Sequence, residues 1–259
     1  MFFKQKKVGL YLIHGFNDTG DSIYGEFISL INRRTTFKAV AKNLQGHNCS
    51  DELNTFDYKQ CIHDVEGDYA EFKRDFDEVY IIGFSMGGVI ASHLASKFGC
   101  EKLVLLAPAF KYIESTNLGK DFFEIIREEI KTSSFADLFK PKIMDSIGEI
   151  IEKKYKDEAV VFKKYLKGKV APSLRAYLNF MLLVDKLDNE IEIKDTPVRI
   201  YIGEHDELVP IKSALHIYNQ IESKNKRLII LPHVYHDLMN STLREDLSKE
   251  IIRFLRSKK

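Results

Sequence analysis

The sequence has little of what marks several protein classes. It contains three cysteines, Cys49, Cys61 and Cys100, which are widely spaced and form no C-x-x-C pair. This usage argues against a disulfide framework and a structural zinc site, and it is typical of a reducing compartment. The 39 lysines and arginines balance 38 aspartates and glutamates, for a net charge of +1. No excess of either sign directs the chain to nucleic acid or to an anionic membrane.

Long hydrophobic runs are also absent. No apolar stretch approaches the roughly 20 residues that a helix needs to cross a bilayer. The stretch Val8–Ile13 follows three lysines, but it is shorter than the roughly 7–15 residues of a secretory signal core, and no small-residue cleavage site follows it. We therefore expect no integral membrane segment and a cytoplasmic location.

The chain does have an alternation of short β-branched runs with longer amphipathic stretches. Several runs are nearly continuous in Val, Ile and Leu, as in strands that are covered on both faces. The predicted strands are Val8–Ile13, Phe37–Ala41, Glu78–Ile82, Lys102–Leu106, Val198–Ile202 and Arg227–Leu231. The predicted helices are Ser22–Arg33, Cys61–Phe72, Met86–Phe98, Lys212–Ile221 and Ser241–Leu255. This order predicts an α/β fold with a mainly parallel sheet that is flanked by helices.

The alternation is interrupted once. From about Phe110 to Lys194 the apolar residues keep helical spacing, and no convincing strand pattern occurs. We therefore expect residues 1–109 and 195–259 to form the α/β core. Residues 110–194 are expected to be a helical cap, inserted before the penultimate strand of the sheet.

The strongest chemical signal is Gly83-Phe84-Ser85-Met86-Gly87. A G-x-S-x-G pattern alone is weak, but this one directly follows a predicted strand and directly precedes a predicted helix. Strand, turn and helix in this order form the elbow that exposes a nucleophilic serine, and glycines flank it because larger side chains would collide. A phosphate-binding helix N-terminus is the alternative, but no G-x-G-x-x-G or lysine-bearing P-loop accompanies the motif. Ser85 is the candidate nucleophile.

A serine hydroxyl needs a base beside it, and in the elbow fold the acid and then the histidine follow the serine in chain order. Asp206 lies in the loop after the strand Val198–Ile202, where catalytic groups collect in open α/β sheets. His236 lies in the loop between the last strand and the last helix. Asp206 is therefore the candidate acid, and His236 is the candidate general base.

Each of these assignments has an alternative in the same loops. Glu204 or Glu207 could replace Asp206, and His233 could replace His236. We favour His236 because His233 adjoins the strand end, where we expect packing to fix its side chain. Two histidines three residues apart in a loop are weak evidence for zinc, so we expect no metal site and no cofactor.

The predicted oxyanion hole consists of two backbone N–H groups. Met86, directly after the nucleophile, supplies one of them, and Phe16, in the loop after the first strand, supplies the other. His14, at the start of that loop, is expected to be a buried structural histidine that bonds loop backbone.

Several motifs together resemble the α/β-hydrolase superfamily, and most of all its bacterial carboxylesterase, monoacylglycerol-lipase and thioesterase-like members. They are His14-Gly15-Phe16, Gly46-His47, the Gly83–Gly88 turn, Leu105-Leu106-Ala107-Pro108-Ala109, Gly203 with Asp206, and His236. The resemblance covers about Val8–Pro108 and Val198–Leu255, and it implies an α/β-hydrolase fold.

The resemblance also implies a function. It points to a serine hydrolase that cleaves carboxylic esters through an acyl-enzyme on Ser85. The expected substrate is a small-molecule acyl ester, such as a simple carboxylic ester, a small acylglycerol or a lysophospholipid. A thioesterase or amidase with the same triad is one alternative, and a non-catalytic ligand-binding member of the fold is another.

Overall fold

One parallel sheet organises the protein. The computed structural model describes residues 6–48, 50–110 and 174–257. Within these ranges six strands form a sheet of order β2-β1-β3-β4-β5-β6, and every neighbouring pair is parallel. The strands are β1 Val8–Ile13, β2 Lys38–Val40, β3 Glu78–Phe84, β4 Lys102–Leu106, β5 Val198–Gly203 and β6 Lys226–Leu231. The predicted α/β architecture and all six predicted strands are confirmed.

Helices cover both faces of the sheet. All residues of β1 and of β4 are buried, which a parallel sheet achieves only when both faces are packed. The described α-helices are α1 Gly20–Arg34, α2 Tyr58–Arg74, α3 Met86–Phe98, α4 Leu174–Asp188, α5 Ile211–Gln220 and α6 Arg244–Arg256. Two 3₁₀ turns, Ser50–Thr55 and Leu238–Asn240, complete the described elements. None of the described helices is long and apolar enough to cross a membrane.

The predicted cap is described only at its end. Residues 111–173 lie outside the described residues, so most of the range 110–194 cannot be compared with the expectation. The described end contains α4, which packs against α2 and α3. Asn179 of α4 accepts a hydrogen bond from the backbone N–H of Tyr58 at 3.1 Å, which ties α4 to the first turn of α2.

Capping side chains explain why two helices begin earlier than predicted. Thr19 precedes α1 and exchanges hydrogen bonds with Ser22, since each side-chain oxygen accepts from the other residue's backbone N–H. Asp57 precedes α2 and accepts from the backbone N–H groups of Lys59 and Gln60, both at 3.0 Å. These residues satisfy N–H groups that lack partners inside the helix. Apolar periodicity does not register such polar first turns.

Lysine side chains cap the C-terminal ends of three helices. The Lys73 ammonium donates to the carbonyl of Gly99 after α3 at 2.8 Å, and Lys226 donates to Tyr218 in the last turn of α5 at 2.8 Å. Lys102, only 2% exposed on β4, donates to the carbonyls of Phe254 at 2.7 Å and of the next residue at 3.0 Å, at the end of α6. A cation at this position satisfies free carbonyls and opposes the negative end of the helix dipole.

Candidate active site

Ser85 occupies a strained turn between β3 and α3. Its φ of 53° and ψ of −118° lie in a region that costs a non-glycine residue on the order of 1–3 kcal/mol. The backbone around this turn leaves no room for a side chain at Gly83 or Gly87. A Cβ on Gly83 would lie 2.1 Å from the carbonyl oxygen of Gly87, and a Cβ on Gly87 would lie 2.2 Å from that of Ile13. The two flanking glycines are therefore required by backbone contacts, as the sequence motif predicts.

The sheet holds this turn in place through main-chain hydrogen bonds. The Ser85 N–H donates to the carbonyl of Leu106 at the end of β4, at 2.8 Å. Ala107, directly after β4, donates to Tyr201 of β5 at 2.7 Å, and Glu204, directly after β5, donates to Leu231 of β6 at 2.9 Å. The inter-strand ladder thus continues past the strand ends, from the turn of Ser85 to the loop of His236.

Ser85, His236 and Asp206 form a continuous hydrogen-bonded chain. The Ser85 Oγ lies 3.0 Å from His236 Nε2, and His236 Nδ1 lies 2.8 Å from Asp206 Oδ2. The other Asp206 oxygen accepts from the backbone N–H groups of Leu208 at 3.0 Å and Val209 at 2.8 Å. The side chain of Asp206 is fully buried, and that of His236 is 6% exposed.

This arrangement defines the roles of the two imidazole nitrogens. Asp206 is a hydrogen-bond acceptor, so His236 Nδ1 carries the proton in the neutral ring and donates a hydrogen bond to the carboxylate. The lone pair of Nε2 then faces Ser85, whose hydroxyl donates to it. Phe84 packs on the His236 ring with centroids 5.0 Å apart, which restricts the ring from a second side.

The alternative acid and base residues lie outside this chain. Glu204 and Glu207 are exposed. Glu204 accepts a hydrogen bond from the backbone N–H of His233 at 3.0 Å. The side chain of His233 is 85% exposed, so the expectation that packing fixes it is wrong. His233 has a φ of 58°, whereas the side chain of the nearby His236 is turned into the core.

The two predicted oxyanion donors lie on either side of Ser85. Met86 is the first residue of α3 and is fully buried. Phe16 belongs to the loop after β1, which approaches Ser85 closely, since a Cβ on Gly15 would lie 3.1 Å from the Cβ of Ser85. Both segments therefore adjoin Ser85, and their backbone N–H groups remain predicted oxyanion donors.

Two buried histidines support the loop of Phe16. His14 Nε2 accepts from the backbone N–H of Leu44 at 2.9 Å, and its Nδ1 donates to the Gly15 carbonyl at 2.8 Å. The predicted structural role of His14 is confirmed by these contacts. His47 lies beside it, with ring centroids 5.2 Å apart, and burial lowers the pKa of His47 from 6.5 to about 4. A neutral His47 thus packs under the loop at neutral pH.

Helix α4 contacts the loop after β1, and no sequence pattern predicts this contact. Phe180 of α4 stacks on Phe16, with ring centroids 5.0 Å apart and planes inclined by 15°. The ring of Phe56 also contacts that of Phe16, with centroids 5.9 Å apart and planes inclined by 54°. The helical spacing of aromatic residues signals that α4 buries a face, but it does not say which loop that face meets.

Known proteins with similar sequences include esterases and lipases. One relative is a Mycoplasma pneumoniae protein that is named esterase/lipase 3. It is 27% identical over 175 residues, which are 65% of this chain and 60% of that protein. The thermostable monoacylglycerol lipase of Bacillus sp. strain H-257 is 24% identical over 230 residues, which are 88% of this chain and 82% of the lipase.

Solved structures give the fold. The monoacylglycerol lipase of Paleococcus ferrophilus superposes with a TM-score of 0.62 at 16% identity, over 95% of this chain and 93% of that chain. A structure from work on the metagenome-derived lipolytic enzymes LipS and LipT superposes with a TM-score of 0.66 at 17% identity, over 97% of this chain and 96% of that chain. The predicted α/β-hydrolase fold is confirmed. The profile of the Hydrolase_4 family, described as serine aminopeptidase, S33, matches residues 4–242, so the chain belongs to this α/β-hydrolase family.

Proposed function

We propose that this protein is a serine hydrolase that cleaves carboxylic esters through an acyl-enzyme on Ser85. The observation that carries the proposal is the pair of hydrogen bonds, at 3.0 Å and 2.8 Å, that joins Ser85 to His236 and His236 to Asp206. A base that lies within hydrogen-bond reach of the serine, and is itself oriented by a third group, is the arrangement that activates a serine hydroxyl.

The reaction follows from these positions. His236 Nε2 takes the Ser85 proton as Oγ attacks the ester carbonyl, and Asp206 holds the ring and stabilises its charged form. The backbone N–H groups of Met86 and Phe16 bind the oxyanion of the tetrahedral intermediate. The His236 proton passes to the departing alcohol. Water then releases the acyl group from Ser85 by the same route.

The surroundings of the triad favour an apolar acyl group. Phe16 lies at the predicted oxyanion hole, and Phe180 and Phe56 surround its ring. We further propose that residues 110–194 form a helical cap over the strand ends, because the described helix α4 brings Phe180 to this place. A carboxylic ester, a small acylglycerol or a lysophospholipid fits such a wall, and the esterase and lipase names of the relatives agree with it.

The experiment is hydrolysis of p-nitrophenyl esters from acetyl to palmitoyl, with Ser85→Ala beside the wild type. Turnover that disappears in Ser85→Ala supports the proposal, and the optimal chain length measures the acyl pocket. A matched series of acyl thioesters and amino-acid p-nitroanilides runs in parallel. Turnover of these without turnover of esters would replace the esterase assignment by a thioesterase or an amidase. Tight binding without turnover would favour a binding protein.

A further inference from the structure

A cluster of metal-ligating side chains lies outside the triad, at the carboxyl ends of β5 and β6. Glu204 and His205 directly follow β5, and His233 follows β6. His233 Nδ1 lies 3.4 Å from His205 Nε2 and 3.8 Å from Glu204 Oε2. One ligand atom from each of the three side chains lies within 4.8 Å of the others, and all three residues are exposed.

The spacing of the two ring nitrogens fits a shared metal ion better than a hydrogen bond. Hydrogen bonds from N–H donors usually span roughly 2.7–3.2 Å, so 3.4 Å is long for one imidazole donating to another. Two ligands of a tetrahedral ion with bonds of about 2.0–2.1 Å are separated by about 3.3 Å. The nitrogens of His205 and His233 have about this separation, and Glu204 Oε2 lies 3.8 Å from His233 Nδ1.

The backbone holds the three side chains together before any ion arrives. Glu204 accepts a hydrogen bond from the backbone N–H of His233 at 3.0 Å, which fixes its carboxyl group beside the His233 loop. His205 donates its backbone N–H to Val234 at 2.9 Å. The His205 ring also contacts Tyr235, with centroids 5.8 Å apart. Two loops that are distant in sequence are thus fixed side by side.

The conformation of His233 is a second observation. Its φ of 58° lies in the left-handed region, which a non-glycine residue adopts at a cost. This conformation is part of the turn that leaves the His233 ring beside His205 and outside the core. The side chain is 85% exposed, and the turn is held by the hydrogen bond from the His233 N–H to Glu204.

We propose that Glu204, His205 and His233 form a surface site for a divalent transition-metal ion of the zinc type. Two imidazoles and one carboxylate are the ligands such an ion takes, with water in the remaining position. The bound ion would join the loop that carries Asp206 to the loop that carries His236, without touching either side chain. The inference does not depend on the proposed esterase activity.

The test is calorimetric titration of the chelator-treated protein with ZnCl₂, and optical titration with CoCl₂, whose visible absorption reports tetrahedral coordination. The wild type is expected to bind one ion per chain and to gain thermal stability with it. His205→Asn, His233→Asn and Glu204→Gln are each expected to weaken binding at least tenfold. Asparagine suits position 233 because it tolerates the left-handed region.

Two further variants make the result specific. His63→Asn removes an exposed histidine on α2 and is expected to leave binding unchanged. His236→Gln is expected to keep zinc binding, which separates this site from the triad. The proposal is overturned if the wild type binds neither metal, or if binding survives in the three cluster variants. It is also overturned if His236→Gln abolishes binding while the cluster variants do not.

Discussion

The rings of Phe180 and Phe16 lie almost parallel, 5.0 Å apart, although one belongs to helix α4 and the other to the loop that follows β1. Phe180 is 5% exposed. The contact joins a helix of the proposed cap to the segment that carries a proposed oxyanion donor. A change on α4 can therefore act on the reaction through Phe16.

Replacing Phe180 tests this connection. Phe180→Ala is expected to lower kcat/KM for the preferred p-nitrophenyl ester about tenfold or more, because the Phe16 loop loses its stacking partner and the pocket loses apolar surface. Phe180→Leu retains much of that surface and is expected to lose less. Leu182→Ala, a half-buried change on the same helix, is the control. Equal losses in Leu182→Ala and Phe180→Ala would mean that only the stability of α4 matters.

The proposed triad predicts a ranking of activities. Ser85→Ala and His236→Ala are each expected to remove nearly all ester hydrolysis, and Asp206→Asn is expected to cost on the order of 10⁴ in kcat. His233→Ala is the matched control, since its exposed side chain lies outside the hydrogen-bonded chain. Steady-state kinetics measure the four variants. If His233→Ala silences the enzyme and His236→Ala does not, the base assignment is wrong.

Three glycines test whether a glycine is needed for lack of space: Gly83 and Gly87 have no room for a Cβ, and Gly67 has. Gly83→Ala and Gly87→Ala are expected to prevent stable folding or to remove activity, because each added Cβ would overlap a backbone carbonyl oxygen. Gly67 lies inside α2, and an added Cβ there would meet nothing within 4 Å. Gly67→Ala is therefore expected to raise the free energy of unfolding by about 0.5–1 kcal/mol. Urea denaturation measures all three variants, and a stable, active Gly83→Ala would contradict the geometry.

Stability should depend on pH through His47. The folded protein keeps this ring neutral down to about pH 4, whereas the unfolded chain protonates it near 6.5. Between these values the unfolded state binds more protons. The contribution is thus fully present above pH 6.5 and is lost as the pH falls towards 4, by roughly 3 kcal/mol at most.

His47→Gln isolates this contribution. The amide keeps a donor for the carbonyl of Gln45, which His47 Nδ1 contacts at 2.9 Å, but it does not titrate. The free energy of unfolding of the variant is expected to vary less between pH 6.5 and 4 than that of the wild type. His63→Gln, at an exposed position, is the control. Equal slopes in the wild type and His47→Gln would refute the assignment.

The buried ammonium of Lys102 is expected to stabilise the end of α6. Lys102→Met keeps the apolar stem but removes the ammonium that donates to the carbonyls of Phe254 and Leu255. The Phe254 carbonyl keeps the Ser257 hydroxyl as a donor at 2.7 Å, whereas that of Leu255 loses its lysine donor, so we expect a loss of roughly 1–3 kcal/mol in the free energy of unfolding. Lys226→Met removes the corresponding cap of α5 from a more exposed position and is expected to cost less. Urea denaturation compares the two variants. A Lys102→Met protein as stable as the wild type would show that the carbonyls find other donors.

Local sequence patterns predicted much of the sheet, because a strand that is buried on both faces is a nearly continuous run of apolar residues. Lys102–Leu106 and Met86–Phe98 are found with the predicted bounds. Helix starts were less accurate, since Thr19 and Asp57 act through side-chain hydrogen bonds that hydrophobic periodicity ignores. The predicted helix Ser241–Leu255 begins only at Arg244, because residues 241–243 form a separate turn after the 3₁₀ turn Leu238–Asn240.

Contacts between distant residues were beyond the sequence. The motifs selected Ser85, Asp206 and His236, which the structure brings together. Chain position did not show that the side chain of His233 is exposed, because exposure depends on the conformation of the whole loop after β6. Nor did it show that His233 meets His205, 28 residues away. The stacking of Phe180 on Phe16 likewise depends on how α4 docks.

The hydrogen-bond ladder that runs past the strand ends has a consequence for how such a protein changes over evolutionary time. Ser85 is hydrogen-bonded to the last residue of β4, and Ala107, the residue after β4, is bonded to β5. Glu204, the residue after β5, is bonded to the last residue of β6. The positions of Ser85 and of the loops after β4 and β5 are thereby set by main-chain groups, and every residue type except proline has both the donor and the acceptor. Substitutions of side chains around the triad are therefore expected to change the substrate range of the proposed hydrolase while these main-chain bonds keep the loops in place.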